Sequence, residues 1–151
     1  MLVKGIPELL AIALLAGCAS VPTQDERLTQ QAKQFNEPSE GNAGLYIYRD
    51  GVLGGSLKKS LYLDDQCLGE TAPKTFFYTE LPAGKTYKVS TESEFSNNDM
   101  TLETIAGQKY YLQQYMKMGV FVGGANLREV DEAKAQKAIQ GLKLAVAGTC
   151  D

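Results

Sequence analysis

The residues best suited to chemistry in this 151-residue chain are its three cysteines, Cys18, Cys67 and Cys150, because the sequence contains no histidine. Imidazole bases and imidazole metal ligands are therefore excluded. A cysteine nucleophile needs a base beside it. A zinc site normally takes four ligands, which Cys67 and Cys150 do not supply. We therefore expect a protein that is not an enzyme and that carries no cofactor and no metal.

Two other patterns are compatible with catalysis, and both favour a structural role. Ser56 precedes Lys59 by three residues, but the pair lies in a glycine-rich segment that indicates a mobile loop. Asp64 and Asp65 are adjacent in a turn, where the two carboxylates point apart and an aspartate commonly bonds the local backbone. The segment 96–99 is too short for a calcium loop.

The first 18 residues carry the strongest functional signal. A short head with one positive charge, Lys4, is followed by the apolar run 9–16, which has a length suited to a secretory signal peptide. Leu15-Ala16-Gly17-Cys18 resembles the lipobox of bacterial lipoproteins. That resemblance implies that residues 1–17 are removed and that acyl chains on Cys18 anchor the protein in a membrane. The residue after Cys18 is Ala19 rather than aspartate. By the sorting rule of such lipoproteins, this implies the outer membrane, with the domain facing the periplasm.

The two cysteines left after Cys18 indicate a disulfide. Two cysteines are an even number, and the periplasm is an oxidising compartment, so we predict that Cys67 pairs with Cys150. The alternative is two free thiols. The bond would join the middle of the chain to its C-terminal tail, which we expect to be loose otherwise.

The pattern of the remaining chain predicts a tether followed by one domain. Residues 18–43 are rich in Gln, Glu, Asn and Pro, which is typical of a flexible tether, although Leu28, Ala32 and Phe35 could form a short docking helix turn. Residues 44–151 show short β-like runs separated by turn residues, which predicts an antiparallel β-sandwich. One C-terminal α-helix is predicted to begin near Asp131 and to end at Gly141. The net charge of −3 argues against nucleic acid as a partner.

Several segments resemble a bacterial lipoprotein family known only as domain of unknown function 2846. They are LYIYR at 45–49, LYLDD at 61–65, TFFYTELPAGK at 75–85 and GQKYY at 107–111. The resemblance covers about residues 32–142. It implies an anchored periplasmic β-sandwich, and it carries over no catalytic residues.

Two groups of residues leave a choice between core and binding surface. The eight tyrosines either fill the core or form a surface that stacks on glycans or binds a protein. The segment 116–125 is either a strand that enters a glycine bend or an apolar lip that docks on a partner or on lipid. We expect a non-catalytic interaction module for an envelope protein, with glycan or peptidoglycan binding as the alternative and an enzyme as a remote one.

Overall fold

The computed structural model describes residues 17–151, and the expected signal peptide lies outside the described residues except for Gly17. This part of the chain forms nine strands and two helices. They are α1 (Glu26–Ala32), β1 (Asn42–Arg49), β2 (Lys59–Leu63), β3 (Gln66–Thr71), β4 (Thr75–Pro82), β5 (Thr86–Thr91), β6 (Asn98–Glu103), β7 (Lys109–Lys117), β8 (Gly124–Glu129), α2 (Glu132–Ile139) and β9 (Lys143–Leu144). Neither helix is long and apolar enough to cross a lipid bilayer.

The strands form two sheets, which confirms the predicted β-sandwich. One sheet has the order β8-β7-β1-β4-β9, and the other has the order β3-β2-β5-β6. The first sheet is mixed rather than purely antiparallel, because β1 pairs with β7 in parallel and β4 pairs with β9 in parallel. The chain leaves this sheet after β4, forms β5 and β6 in the opposite sheet, and returns as β7 on the other side of β1.

Both faces of the central strand β1 are buried. Leu45 and Ile47 point between the two sheets and belong to the main apolar cluster. Tyr46 and Tyr48 point to the opposite face, where they pack in a second cluster with residues of α1 and α2. The alternation of side chains along a strand explains this division. The helices thus form a third layer.

The C-terminal helix begins and ends as predicted. The Asp131 carboxylate accepts a 3.0 Å hydrogen bond from the backbone N–H of Lys134, which caps the first turn of α2. Glu132 stands in that first turn, where a negative charge interacts favourably with the helix dipole. The Gly141 N–H then bonds to the Ala138 carbonyl at 3.3 Å, just after the helix ends.

The segment 18–43, expected to be a flexible tether, packs on the domain instead. Its helix α1 buries Thr29 and Ala32, and Phe35 packs against Tyr46 with ring centroids 5.3 Å apart. Upstream of α1, the Gln24 N–H donates to the Leu144 carbonyl at 2.8 Å. The mostly polar composition favoured a tether, and the docking turn suggested by Leu28, Ala32 and Phe35 is the part of that prediction that agrees with the structure.

A disulfide joins Cys67 at the start of β3 to Cys150 in the C-terminal tail, as predicted. The tail is less dependent on this bond than expected. The Ala145 N–H donates to the Phe76 carbonyl and the Val146 N–H donates to the Pro22 carbonyl, at 2.8 and 2.9 Å. Backbone hydrogen bonds therefore hold residues 143–146, and beyond them the Gly148 N–H donates to the Leu68 carbonyl at 2.9 Å next to the disulfide.

Candidate functional site

Cys18 lies on the surface, directly before the point where the chain joins the domain. Its thiol is exposed and makes no disulfide in the described part of the chain. The next residue is held, because the Ala19 N–H donates a 2.7 Å hydrogen bond to the Gly55 carbonyl in the loop between β1 and β2. The candidate lipidation site is therefore fixed beside that loop.

A buried arginine orders the same loop. Arg49, at the end of β1, is fully buried and donates to the carbonyls of Leu57, Gly54 and Thr71 at 2.8, 3.0 and 3.4 Å. Loss of hydration lowers the pKa of this guanidinium to about 10. Sequence reasoning missed Arg49. The available signal was a charged residue at the end of an apolar strand, followed by an Asp-Gly turn.

Glu94 orders a second loop at this end of the sandwich. Its carboxylate accepts hydrogen bonds from the backbone N–H groups of Val120 and Phe121 at 2.7 and 2.6 Å, and a longer one from Val122. These hydrogen bonds, that of Phe121 first, lower the pKa of Glu94. The turn is so tight that a Cβ at Gly119 would collide with the Val122 carbonyl. Glu94 and Gly119 together hold the loop between β7 and β8 in one shape.

That loop forms the apolar lip considered from the sequence. Met118, Val120 and Phe121 have exposed side chains, so they do not continue the core. Phe95, in the loop between β5 and β6, lies against Phe121 with ring centroids 6.3 Å apart.

Six of the eight tyrosines pack in or against the two apolar clusters. Tyr46, Tyr48, Tyr87 and Tyr111 are buried. The other four are half-buried. The Tyr46 ring stacks between Tyr78 and Tyr111, at centroid distances of 4.4 and 5.1 Å. Burial raises the pKa of Tyr46, and it raises that of Tyr111 to about 12.

One groove opens beside this tyrosine stack. It has a volume of about 570 Å³ and lies between α1 and the outer half of β4. Tyr46 and Tyr78 line the groove together with Gln31 of α1 and two carboxylates, Glu37 and Glu80. Glu80 is held in place by Ser39, whose N–H and hydroxyl both donate to it, and these bonds lower the pKa of Glu80.

Neither of the two residue pairs that were compatible with catalysis is arranged as a catalytic site. Ser56 is exposed, whereas Lys59 is buried with its ammonium 3.9 Å from Glu92. Asp64 and Asp65 both have positive φ angles in the tight turn between β2 and β3, where Asp64 accepts from the Lys88 N–H at 2.8 Å. Within residues 17–151, no group of three or more Cys, Asp or Glu side chains is placed to hold a metal ion.

The fold and these features define a two-sheet β domain with helices on one face and an exposed cysteine, Cys18, just before the first residues that pack on it. Residues 39–125 match the family model described as "Protein of unknown function (DUF2846)", and the chain belongs to that family. It is also 53% identical over 133 residues to an "Uncharacterized protein" of Haemophilus influenzae, covering 88% of this chain and 79% of the relative. No solved structure matches. The resemblance to domain of unknown function 2846 is thus confirmed, and the lipoprotein character stays a prediction.

Proposed function

We propose that this protein is a lipoprotein of the bacterial envelope, anchored through acyl chains on Cys18. We propose further that its β domain is a non-catalytic module that binds another envelope protein. The exposed Cys18 thiol, directly after Leu15-Ala16-Gly17, supports the anchor. The outer membrane is the proposed location because Ala19, rather than an aspartate, follows the cysteine.

The proposed binding role rests on the open edge of β4 in the groove. β9 pairs with β4 only at Thr75 and Phe76. The Phe76 carbonyl faces β9, since it accepts the Ala145 N–H. Backbone groups of alternate residues point to the same side of a strand, so those of Tyr78 and Glu80 face the same edge. Beyond Phe76 this edge meets no further strand among residues 17–151.

An open strand edge beside a groove suits an extended peptide segment. The segment would add to the sheet through main-chain hydrogen bonds, and the groove would accept its alternate side chains. The charged residues that line the groove, Glu37 and Glu80, are both acidic. We therefore propose that the bound segment is extended and carries at least one basic side chain.

Site-specific photocrosslinking tests the binding role. A photoreactive residue in place of Gln31, which is exposed at the groove, is expected to capture an envelope protein in cells. The matched control is the same residue in place of Lys137, which is exposed on α2 away from the groove. Equal capture at both positions, or none at Gln31, would refute the proposal.

Glycan binding is the second candidate, supported by the Tyr78 ring and by the amides and carboxylates of the groove. It predicts that the protein sediments with purified peptidoglycan and that Tyr78→Ala abolishes this. Sedimentation with peptidoglycan but no crosslinking at Gln31 would favour the glycan.

The proposed location is tested separately by membrane fractionation, in which Ala19→Asp is expected to shift part of the protein to the inner membrane.

A further inference from the structure

Three loops at one end of the sandwich carry most of the exposed apolar side chains of the described residues. They follow β1, β5 and β7, and they are separate in sequence. Their exposed apolar residues are Val52, Leu53, Phe95, Met118, Val120, Phe121 and Val122. Met118, Val120 and Phe121 are 83%, 75% and 84% exposed. Among residues 17–151, the other large apolar residues with exposed side chains are Ile105 and Val146, and both lie outside these loops. We call this end the apolar tip.

The apolar tip is one continuous surface. Phe95 touches Phe121 edge to face. Leu53 and Phe121 line the same hollow of about 240 Å³, which joins the loop after β1 to the loop after β7. An exposed apolar surface that spans several loops is typical of a region that contacts a partner or a membrane.

The charges around the apolar tip fit a lipid surface. Residues 51–57 and 118–126 contain no charged side chain. The loops after β1 and β5 contain three acids, Asp50, Glu92 and Glu94, and each accepts a hydrogen bond within the domain. Asp50 accepts from the Gln113 amide at 2.7 Å, and Glu92 accepts from the Ser60 N–H at 3.0 Å. The Glu94 carboxylate is turned to the backbone N–H groups of Val120 and Phe121. Two cations, Lys58 and Lys117, directly flank the uncharged segments in sequence. Apolar side chains bordered by lysines are suited to a bilayer with anionic headgroups.

The candidate anchor lies at the same end. The hydrogen bond from Ala19 to Gly55 places Cys18 beside the loop that carries Val52 and Leu53. Acyl chains on Cys18 would therefore enter a membrane next to the apolar tip, with no free tether between membrane and domain.

We propose that the apolar tip inserts into the lipid leaflet that holds the anchor, so that the domain stands upright on the membrane. This inference rests on the proposed lipid anchor. The groove at Tyr78 and Glu80 lies toward the opposite end of the strands. Tyr78 of the groove pairs with Tyr46 of β1. Tyr46 is three residues before Arg49, so the groove lies about 10 Å along β1 from Arg49, at 3.3 Å per residue. The upright domain therefore presents its groove away from the lipid.

Tryptophan fluorescence tests this orientation, because the sequence contains no tryptophan of its own. The lipidated full-length product carrying Phe121→Trp is reconstituted in vesicles of phosphatidylethanolamine and phosphatidylglycerol, with and without brominated acyl chains. We expect a blue-shifted emission and loss of most of the fluorescence to the brominated lipid. The control is Ile105→Trp, another exposed apolar position, which lies beyond the opposite end of β6 and is expected to keep its emission.

Equal emission from the two variants in brominated vesicles would overturn the proposal. Shielding of Phe121→Trp in native membranes but not in these vesicles would likewise overturn it and would indicate a protein occupant. Intact mass spectrometry of the same sample tests the anchor separately. If Cys18 carries no lipid, the proposed function fails. The same chain, coupled through its exposed Cys18 thiol to a maleimide-bearing phospholipid, still tests the apolar tip.

Discussion

The backbone N–H of Ala19 donates a 2.7 Å hydrogen bond to the carbonyl of Gly55, which ties the residue after Cys18 to the loop between β1 and β2. Arg49 holds the other side of this loop through the Gly54 and Leu57 carbonyls. The attachment point of the chain and the shape of the loop are therefore linked by two sets of hydrogen bonds. Substitutions that remove either set of hydrogen bonds should therefore alter the structure at the same end of the domain.

The anchor gives the first prediction. Cys18→Ser removes the sulfur that would form the thioether, so the variant is expected to incorporate no labelled palmitate and to leave the membrane fraction. Its thermal unfolding should match that of the unmodified chain, because the Cys18 side chain is exposed and unpaired in the structure. Palmitate incorporation by the variant would disprove the lipidation site.

The second prediction concerns Arg49. Arg49→Met removes the donors to three carbonyls, and we expect a loss of about 2–4 kcal/mol in the free energy of unfolding, because buried acceptors lose their partners. Urea unfolding measures the loss. The control is Arg128→Met, since the Arg128 side chain is exposed over the Tyr115 ring and should contribute much less. Equal losses in the two variants would contradict the structural role of Arg49.

The third prediction is a pH dependence of the loop after β7. The pKa of Glu94 is lowered in the folded protein, so its contribution is present above the ordinary glutamate pKa of about 4.3 and is lost as the pH falls through the lower folded value. Hydrogen exchange should show protected N–H groups at Val120 and Phe121 near neutral pH. Glu94→Gln replaces one acceptor oxygen by an NH2 donor, so at least one of the two N–H groups should be exposed at every pH.

A matched control for this prediction is Glu103→Gln, because Glu103 is exposed at the last position of β6 and pairs with Thr86, at the end of β5 remote from Glu94. It should leave the exchange at Val120 and Phe121 unchanged. Full protection of these N–H groups in Glu94→Gln would refute the role of the carboxylate.

The fourth prediction concerns the disulfide. Replacing both Cys67 and Cys150 by alanine opens a loop of 84 residues (67 to 150 inclusive) and should lower the free energy of unfolding by up to about 4.5 kcal/mol. The N–H groups of Ala145 and Val146 should stay protected, since backbone hydrogen bonds hold them. Calorimetry and hydrogen exchange measure the two effects, and loss of protection at residues 143–146 would contradict the structure.

Local patterns in the sequence were enough to predict β1 to β7, the C-terminal helix and the disulfide, whereas β8 and β9 were not predicted. Alternating residues specify a strand, Asp131 can cap a helix with its own side chain, and an even number of remaining cysteines suggests a pair. The family was also recognised from such local segments, because each motif lies within a few consecutive residues.

The surfaces were decided by the tertiary structure, because each combines residues that are distant in the chain. Only the folded chain buries Tyr46 under α1, and only it brings Phe95 to Phe121 and Ala19 to Gly55. Composition marked residues 18–43 as a tether, since a polar segment cannot bury a core by itself. Ala32 and Phe35 suggested a short docking turn, but the apolar face on which they pack is supplied by the sheet and exists only in the folded chain.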